Sequence, residues 1–234
     1  MSSAPSQRSA ADLISSRDNE KLKLVRKLHE RRWRDKLGLF VAEGEDLVDA
    51  ALAAGYDADE LLVAGENVEP SLLAGVSTLG HPPRVIGIFR RREASRSADT
   101  ALALWSVADP GNVGTLLRSA DAFGAGVMLS EGCADPFGPK ALRAGMGSTF
   151  RVPLLAFDVP VDSVALVVDG GRPLDELELD RYSCFVLGSE REGLPDEIVE
   201  RCAVTATIST SSVDSLNVAM AGTIALYERR KAGV

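Results

Sequence analysis

Short apolar runs alternate with amphipathic segments through the second half of the chain. The apolar runs cover residues 101–107, 126–130, 164–169, 184–188 and 203–208. Segments with a helical apolar period stand between or after them, at 113–124, 139–147, 195–202 and 215–231. Strands that read as unbroken apolar runs are typical of parallel sheets, because helices cover both faces of such sheets. The pattern therefore predicts an α/β domain built on a parallel sheet.

The first part of the chain predicts a smaller α/β unit of its own. One continuous helix is expected over "SRDNEKLKLVRKLHERRWRDK" (16–36), with Asp18 as its N-cap. Strands are expected at 38–44, 60–65 and 84–89. A second helix is expected over 45–55, because Gly55 is a suitable residue to end it.

A polar and basic segment separates the two parts. Residues 90–100 have no apolar period, which is typical of a linker at a domain boundary. We therefore assign residues 13–97 to an N-terminal domain and residues 98–234 to a C-terminal domain. Residues 1–12 are polar and lack an apolar segment, so we interpret them as a disordered leader.

The distribution of charge along the chain leads to a different conclusion about nucleic-acid binding than the net charge does. A net charge of −8 by itself argues against a nucleic-acid partner. Residues 17–36, however, carry nine basic and four acidic side chains, and "FRRRE" at 89–93 adds a second basic cluster. Because local patches decide where a phosphate backbone docks, the first domain keeps a potential RNA-binding surface.

Composition excludes several classes of protein. Cys133, Cys184 and Cys202 are scattered without a CxxC pair, so no metal site or disulfide framework is indicated, and we interpret all three as core residues. No apolar run approaches the roughly 20 residues that a membrane span requires, and the first residues lack the apolar region of a secretory signal. We therefore expect a cytoplasmic protein without a membrane partner.

Three loops follow predicted strands at the edge where parallel sheets bind ligands. They cover residues 108–112, 188–194 and 209–215. Neither GxGxxG nor GxxxxGK[ST] occurs, so the usual dinucleotide and phosphate fingerprints are absent.

The sequences at these loops carry a family resemblance. "DPGNVGTLLRSADAFG", "LGSEREGLP" and "ISTSSVDSLNVAMA" resemble, in this order, the three motifs of the SpoU (TrmH-like) family of SPOUT RNA methyltransferases. The resemblance spans residues 98–234. The first domain is similar to the family's ribosomal-protein-like RNA-binding module, through "ISSRDNEKLKLVRKL" and "FVAEGEDLVDAALAAG".

The resemblance implies a trefoil knot at the carboxyl end of the sheet, a homodimer, S-adenosylmethionine as cofactor, no metal, and methylation of an RNA ribose 2′-OH. The catalytic candidates that it implies are Asn112, Arg118, Glu190, Ser215 and Asn217. The implied cofactor contacts are Leu187, Gly188, Ser189, Gly193, Ile208, Leu216 and Asn217. The RNA-binding candidates, from the resemblance and the basic patches together, are Arg17, Lys23, Arg26, Arg91 and Arg143.

The chemistry leaves two roles open for Arg118. It either grips the phosphate of the target nucleotide or, once RNA desolvates it, accepts the proton of the 2′-OH. We favour the phosphate grip, because arginine is a poor base. Plainer interpretations also stand, since Asn112 and Ser215 are both good helix caps. After Ile208 the family usually has Pro-Met and a glycine-containing loop, whereas this chain continues with "STSS" at 209–212.

The separate N-terminal module favours rRNA, and 23S rRNA in particular, over tRNA as the substrate, and a resistance-type enzyme remains an option. The altered "STSS" loop motivates a different hypothesis, a non-catalytic RNA-binding homologue. An unrelated α/β enzyme acting on a small molecule is the third alternative.

Overall fold

The basic stretch at the start of the computed structural model forms two helices rather than the single one predicted. The structure describes residues 13–94, 97–211 and 215–233. Helix α1 spans Glu20–Leu28 and α2 spans Arg31–Leu37. The buried Arg34 side chain donates hydrogen bonds to the carbonyl oxygens of Leu28 and His29, at 2.8 and 2.9 Å. Carbonyls at a helix end lack partners within the helix, so Arg34 stabilises the break between α1 and α2.

The predicted N-cap of this stretch was also wrong. Asn19, not Asp18, precedes α1, and its side-chain oxygen accepts a hydrogen bond from the backbone N–H of Lys21 at 2.9 Å. Asp18 lies one residue too early to bond the first helical N–H groups, which is the contact that defines an N-cap.

Three antiparallel strands complete the first unit. Their order is β1-β3-β2, with β1 at Leu39–Glu43, β2 at Ala58–Val63 and β3 at Val85–Arg90. Helix α3 (Glu45–Ala53) follows β1, and a short helix α4 (Pro70–Ala74) precedes β3. Leu22, Val25 and Leu28 of α1 are fully buried and join Val41 and Ile86 of the sheet in one core cluster. One apolar face of α1 therefore closes the unit.

The second unit confirms the predicted parallel sheet. The two compact units meet between Arg91 and Arg92 along the chain. The strands of the second unit are β4 Ala101–Leu104, β5 Gly126–Leu129, β6 Leu154–Leu155, β7 Ser163–Leu166, β8 Arg172–Pro173, β9 Cys184–Leu187 and β10 Val204–Thr207. Within the described residues they form one seven-stranded sheet in the order β6-β5-β4-β9-β7-β10-β8, with every pairing parallel.

Helices cover both faces of this sheet. Their bounds are α5 Pro110–Phe123, α6 Pro139–Gly145, α7 Asp196–Val199 and α8 Val218–Ala232. Leu102 and Leu104 of β4 belong to one core cluster, whereas Ala101 and Ala103 belong to another. Because successive strand residues point to opposite faces, the two clusters lie on opposite sides of the sheet. This two-sided burial explains the unbroken apolar runs in the sequence.

Close contact between α5 and α8 positions the start of both helices. A Cβ added at Gly222 of α8 would overlap the side chain of Leu116 in α5, so the glycine permits the close approach. Ser119 and Thr223 join the same pair of helices, with their hydroxyl oxygens 2.6 Å apart. Thr223 donates to the carbonyl of Ala219 at 2.7 Å, so Ser119 must supply the proton of the hydroxyl pair.

The described residues show no candidate membrane-spanning helix, no candidate metal cluster and no exposed cysteine. None of the helices in residues 13–94, 97–211 and 215–233 combines the length and apolarity needed to cross a membrane. The same residues contain no cluster of three or more His, Cys, Asp or Glu side chains arranged to hold a metal ion. Cys133 and Cys184 are buried and Cys202 is half-buried, and burial raises the pKa of Cys184 to about 12.

Glu43 is a buried carboxylate at the end of β1, with 5% of the residue exposed. It accepts hydrogen bonds from the Ser77 hydroxyl at 2.6 Å and from the N–H and hydroxyl of Thr78 at 2.7 and 2.8 Å. Nε2 of His29 lies 3.1 Å from its Oε1. Burial opposes ionisation and would raise the pKa of Glu43, but these polar contacts outweigh burial and lower the pKa to about 2.

We expect Glu43→Gln to destabilise the first unit at neutral pH and the difference from wild type to shrink in acid. A carboxylate with a lowered pKa stabilises the fold fully above its unfolded pKa of about 4.5, and this contribution is lost as the pH falls toward 2. The difference between the two pKa values corresponds to on the order of 3 kcal/mol. Urea unfolding of both proteins between about pH 7 and pH 2.5 measures it.

Glu20→Gln is the matched control, because Glu20 is an exposed carboxylate paired with Lys23 on the surface of the same unit. We expect little effect from this variant at any pH, since exposed ion pairs contribute little. If the difference in the free energy of unfolding between wild type and Glu43→Gln stayed constant down to pH 2.5, the lowered pKa of Glu43 would be contradicted.

Candidate functional site

A cavity of about 1120 Å³ opens at the carboxyl ends of β7, β9 and β10. Its walls come from residues 166–169, 187–194, 206–210 and 215–218, together with Ala221. Loops at the carboxyl ends of parallel strands are where α/β sheets bind ligands. Two of the three loops singled out in the sequence contribute to the wall: 188–194, and 209–215 through Ser209, Thr210 and Ser215, since residues 212–214 lie outside the described residues.

The cavity contains every residue named as a cofactor contact from the sequence. These are Leu187, Gly188, Ser189, Gly193, Ile208, Leu216 and Asn217. Among the catalytic candidates, Glu190, Ser215 and Asn217 also line it. Asn112 and Arg118 lie outside the wall, on α5.

The 188–194 loop contains a tight turn that depends on Gly188 and Gly193. Ser189 and Gly193 exchange two backbone hydrogen bonds, each 3.1 Å long, and the Ser189 hydroxyl accepts a third from the N–H of Glu192 at 3.2 Å. Gly193 has φ +68°, a conformation that glycine adopts without strain. A Cβ at Gly188 would overlap the backbone of Gly193 and Leu194. Both glycines are thus required for the shape of this wall.

Asn217 is the N-cap of α8, and this role decides how its amide is oriented. Its Oδ1 accepts hydrogen bonds from the N–H groups of Ala219 at 2.9 Å and Met220 at 3.3 Å. Since a backbone N–H can only donate, the side-chain oxygen must face the helix and the NH₂ group must point away from it. The cap therefore aims a hydrogen-bond donor out of the helix, toward α5.

That donor begins a series of hydrogen bonds that joins all three motif segments. Asn217 Nδ2 donates to Asn112 Oδ1 at 3.0 Å, and Asn112 Nδ2 donates in turn to Glu190 Oε1 at 2.8 Å. We call these three residues the amide series. Each amide has its direction set by the one before it, so Glu190 is left with the role of acceptor.

The plainer interpretation of Asn112 and Ser215 as helix caps is wrong. Asp109 caps α5, and its side chain accepts from the N–H of Asn112 at 2.9 Å. Helix α8 begins only at Val218, so Ser215 lies too early to cap it. The Asn112 side chain is consequently available for the amide series.

Arg118 lies six residues beyond Asn112 on α5, about 9 Å along the helix axis. Its side chain is exposed and makes no hydrogen bond or ion pair with any other residue in the described part of the chain. An exposed arginine of this kind can grip an incoming anion without first breaking an internal ion pair.

Sequence reasoning missed one segment of the wall. Val167, Val168 and Asp169 line the cavity, and they end the apolar run that forms β7. The signal was available, because the run ends in "DGG" at the same sheet edge as the other loops. The wall contains three acidic side chains and one basic one, those of Asp169, Glu190, Glu192 and Arg191. This excess of negative charge favours a positively charged ligand.

The RNA-binding candidates differ in how far their charge is already compensated. Arg17 is exposed, and its carbonyl accepts from Arg26 at 3.1 Å. Lys23 is paired with Glu20 at 2.9 Å, and Arg91 with Asp35 at 2.9 Å. These four residues lie in the first unit, whereas Arg143 lies half-buried on α6 of the second.

Two family models match the chain. Residues 99–227 match the SpoU rRNA Methylase family, and residues 19–86 match the MRM3-like substrate binding domain. The first match contains β4 through most of α8, including the amide series.

Individual relatives cover nearly the whole chain. The chain is 30% identical to the 23S rRNA (guanosine(2553)-2′-O)-methyltransferase RlmP of Bacillus subtilis, over 93% of this chain and 98% of that protein. It is 26% identical to a 23S rRNA (uridine(2479)-2′-O)-methyltransferase of Streptomyces viridochromogenes, over 94% and 92%. The crystal structure of AdoMet-bound rRNA methyltransferase from Sinorhizobium meliloti is similar, with a TM-score of 0.84, 30% identity, and coverage of 94% of this chain and 97% of that one.

The two roles of Asn217 can be separated by substitution. Asn217→Asp keeps an acceptor for the two helical N–H groups but removes the donor to Asn112, whereas Asn217→Ala removes both. We expect the free energy of unfolding of Asn217→Asp to stay within about 0.5 kcal/mol of wild type and that of Asn217→Ala to fall by about 1 kcal/mol. Urea unfolding measures both, and equal destabilisation by the two substitutions would argue against the cap.

Proposed function

The chain belongs to the SpoU rRNA methylase family, and we propose that it transfers a methyl group from S-adenosylmethionine to a ribose 2′-OH of 23S rRNA. The observation that carries the proposal is the amide series, which connects the three motif segments beside a cavity of suitable size. Both relatives described above are named as 2′-O-methyltransferases of 23S rRNA.

The cavity wall has the chemistry that S-adenosylmethionine requires. Leu187, Ile208 and Leu216 offer apolar contacts for the adenine, and Gly188 exposes backbone groups that can bond it. The excess of acidic side chains suits the positive charge of the sulfonium. When bound, the cofactor supplies an electrophilic methyl group, and the protein's task is to orient the attacking hydroxyl in line with it.

The amide series supplies fixed hydrogen-bonding groups at the reaction site. Oε1 of Glu190 accepts a hydrogen bond from the Asn112 amide. Its second oxygen can accept a hydrogen bond from the ribose hydroxyl or from Arg118. Groups that are oriented before the substrate binds lower the barrier, because they need no rearrangement during the reaction. Ser215, at the rim of the cavity, is a further donor or acceptor for the ribose.

We propose that Arg118 grips the phosphate of the target nucleotide. Its exposed guanidinium has no anionic partner among the described residues, and an arginine binds phosphate through two parallel hydrogen bonds. The alternative role as a base requires the guanidinium to lose a proton, which is costly for arginine. In the phosphate role, Arg118 aligns the ribose between the methyl donor and Glu190, whose second carboxylate oxygen accepts the proton that the 2′-OH loses.

The proposed roles follow the two domains predicted from the sequence, whose boundary lies six residues beyond the Arg91–Arg92 division of the two compact units. We propose that residues 13–97 bind RNA and residues 98–234 bind the cofactor and catalyse the transfer. The family model matched by residues 19–86 is named a substrate binding domain, which supports the first part. Family membership also supports a trefoil knot around the cofactor cavity and, with the bacterial relatives, a cytoplasmic location.

We also propose that the protein is a homodimer. Met220 and Tyr227 on α8 are 60% and 52% exposed, and half-buried Ile224 lies between them on the same helical face. An apolar stripe of this kind is typical of a surface that a partner covers. A second copy of the chain is the partner that the family resemblance implies.

Arg118→Ala tests the catalytic assignment. We expect kcat/KM for methyl transfer to 23S rRNA to fall on the order of 100-fold or more, while the Kd for S-adenosylmethionine changes less than about twofold, because the side chain contacts RNA and not the cofactor. Transfer of labelled methyl groups to total rRNA and total tRNA, with calorimetry for the cofactor, measures both. Arg181→Ala is the control, since Arg181 is an exposed arginine paired with Glu178.

Full methyl-transfer activity of Arg118→Ala would show that Arg118 has no role in catalysis. Transfer by the wild-type protein to tRNA alone would instead overturn the choice of rRNA. Binding of RNA without cofactor binding would favour the non-catalytic homologue.

Tyr227→Glu tests the dimer. We expect the wild-type protein to sediment as a dimer and the variant as a monomer, because a carboxylate within the apolar stripe must be desolvated on association. Leu52→Glu, on an exposed apolar residue of α3, should remain dimeric. A monomeric wild-type protein, or a variant that still dimerises at micromolar concentration, would contradict the proposal.

A further inference from the structure

Most cations of the 17–36 stretch are already compensated by an acidic or carbonyl partner. Four of them form ion pairs: Lys21 with Glu60, Lys23 with Glu20, Arg31 with Asp35 and Arg32 with Glu30, at 2.7, 2.9, 3.5 and 2.7 Å. Arg34 is buried and bonds the end of α1. A basic residue beside its own carboxylate adds little to the field that an RNA meets. The nine basic residues therefore overstate the available positive charge.

Lys27 and Lys36 are different, because neither forms a hydrogen bond or an ion pair with another described residue. Both are exposed, and their ammonium groups lie 5.3 and 5.2 Å from the centroid of the Trp33 ring. Arg32 also approaches this ring, with its guanidinium carbon 5.6 Å from the centroid. Two ammonium groups thus converge on one aromatic side chain, and neither forms an ion pair within the described residues. The carboxylate that Lys27 does influence, Glu20, is already paired with Lys23.

Trp33 itself lies half-buried on the short helix α2. Attraction between the cations and the ring stabilises this arrangement, but it leaves both positive charges in place. The flexible lysine side chains can move aside from the ring without unfolding any element. An anion that also carries a flat π surface would complement both the ring and the two ammonium groups.

We propose that Trp33, Lys27 and Lys36 form a binding site for an unpaired nucleotide of the RNA substrate. The base stacks on the indole ring and the two lysines contact its flanking phosphates. Proteins that bind single-stranded RNA combine these two contacts, because every base has a π face and every linkage a negative charge. The inference rests on the proposed RNA substrate, and the cluster lies within the residues 19–86 that match a substrate binding domain.

Tryptophan fluorescence reports directly on stacking. The chain has two tryptophans, so Trp105→Phe leaves Trp33 as the sole indole fluorophore, and Trp33→Phe leaves Trp105 of the second unit. Each full-length variant is titrated with a ten-nucleotide single-stranded oligoadenylate and, separately, with polyglutamate. We expect the RNA to quench Trp33 strongly and to leave Trp105 unchanged, since only stacking brings a base against the ring.

Affinity measurements separate the ring from the lysines. We expect Trp33→Leu to raise the Kd for the oligonucleotide on the order of tenfold. We expect Lys27→Ala/Lys36→Ala to lower the dependence of log Kd on log salt by about two. Lys21→Ala/Arg31→Ala is the matched control, because both cations have acidic partners, and it should change the salt dependence less. Circular dichroism verifies folding, and the lysine variants provide the test if Trp33→Leu does not fold.

The outcomes distinguish this inference from the proposed function. Two results would overturn the nucleotide site. One is oligonucleotide binding without quenching of Trp33 fluorescence. The other is quenching by polyglutamate equal to that by RNA, which would indicate that the cluster binds an acidic peptide. If the wild-type protein methylates rRNA and Trp33→Leu does so with unchanged KM, the inference fails while the function stands. Quenching by RNA without methyl transfer leaves the site intact and overturns the function.

Discussion

The cap that Asn217 places on helix α8 is the interaction on which the arrangement of the site depends. Two backbone N–H groups require its oxygen, and this requirement turns its NH₂ group toward Asn112. Asn112 then has one possible orientation, and Glu190 receives its hydrogen bond. Unpaired N–H groups at the start of a helix require a hydrogen-bond acceptor. By meeting this local requirement, Asn217 also orients Asn112 and thereby the carboxylate of Glu190, which belongs to a different loop. No separate element is needed to hold these polar groups in register.

The amide series can form because the sheet and its helices bring three distant segments together. Asn112 is separated by 78 residues from Glu190 and by 105 from Asn217. Parallel strands direct their carboxyl ends to one edge, so loops far apart in the chain become neighbours. Close packing at Gly222 brings α8 against α5, and the tight turn at Gly188 keeps the second loop compact. Small residues therefore permit the packing that brings the polar ones together.

Charge is organised locally in both units. The chain is acidic overall, and most of its basic helical residues are held by carboxylates or carbonyls of their own unit. Lys27 and Lys36 beside Trp33 form no ion pair among the described residues, and neither does Arg118 on α5, while acidic side chains line the cavity. An acidic protein can bind both a polyanion and a cationic cofactor when the two charge patterns occupy separate surfaces.

The sequence by itself determined the parallel sheet, because burial on both faces leaves continuous apolar runs that can be read without a structure. It also carried the motifs at the three loops and the family to which they belong. It could not determine that the basic stretch breaks into two helices, since the break depends on Arg34 bonding the carbonyls of Leu28 and His29. Nor could it determine which of Asn112, Ser215 and Asn217 caps a helix, or which lysines keep their charge free. Only the tertiary structure decided these points, because a hydrogen bond or an ion pair depends on the partner that folding brings within reach, and sequence spacing does not record that partner.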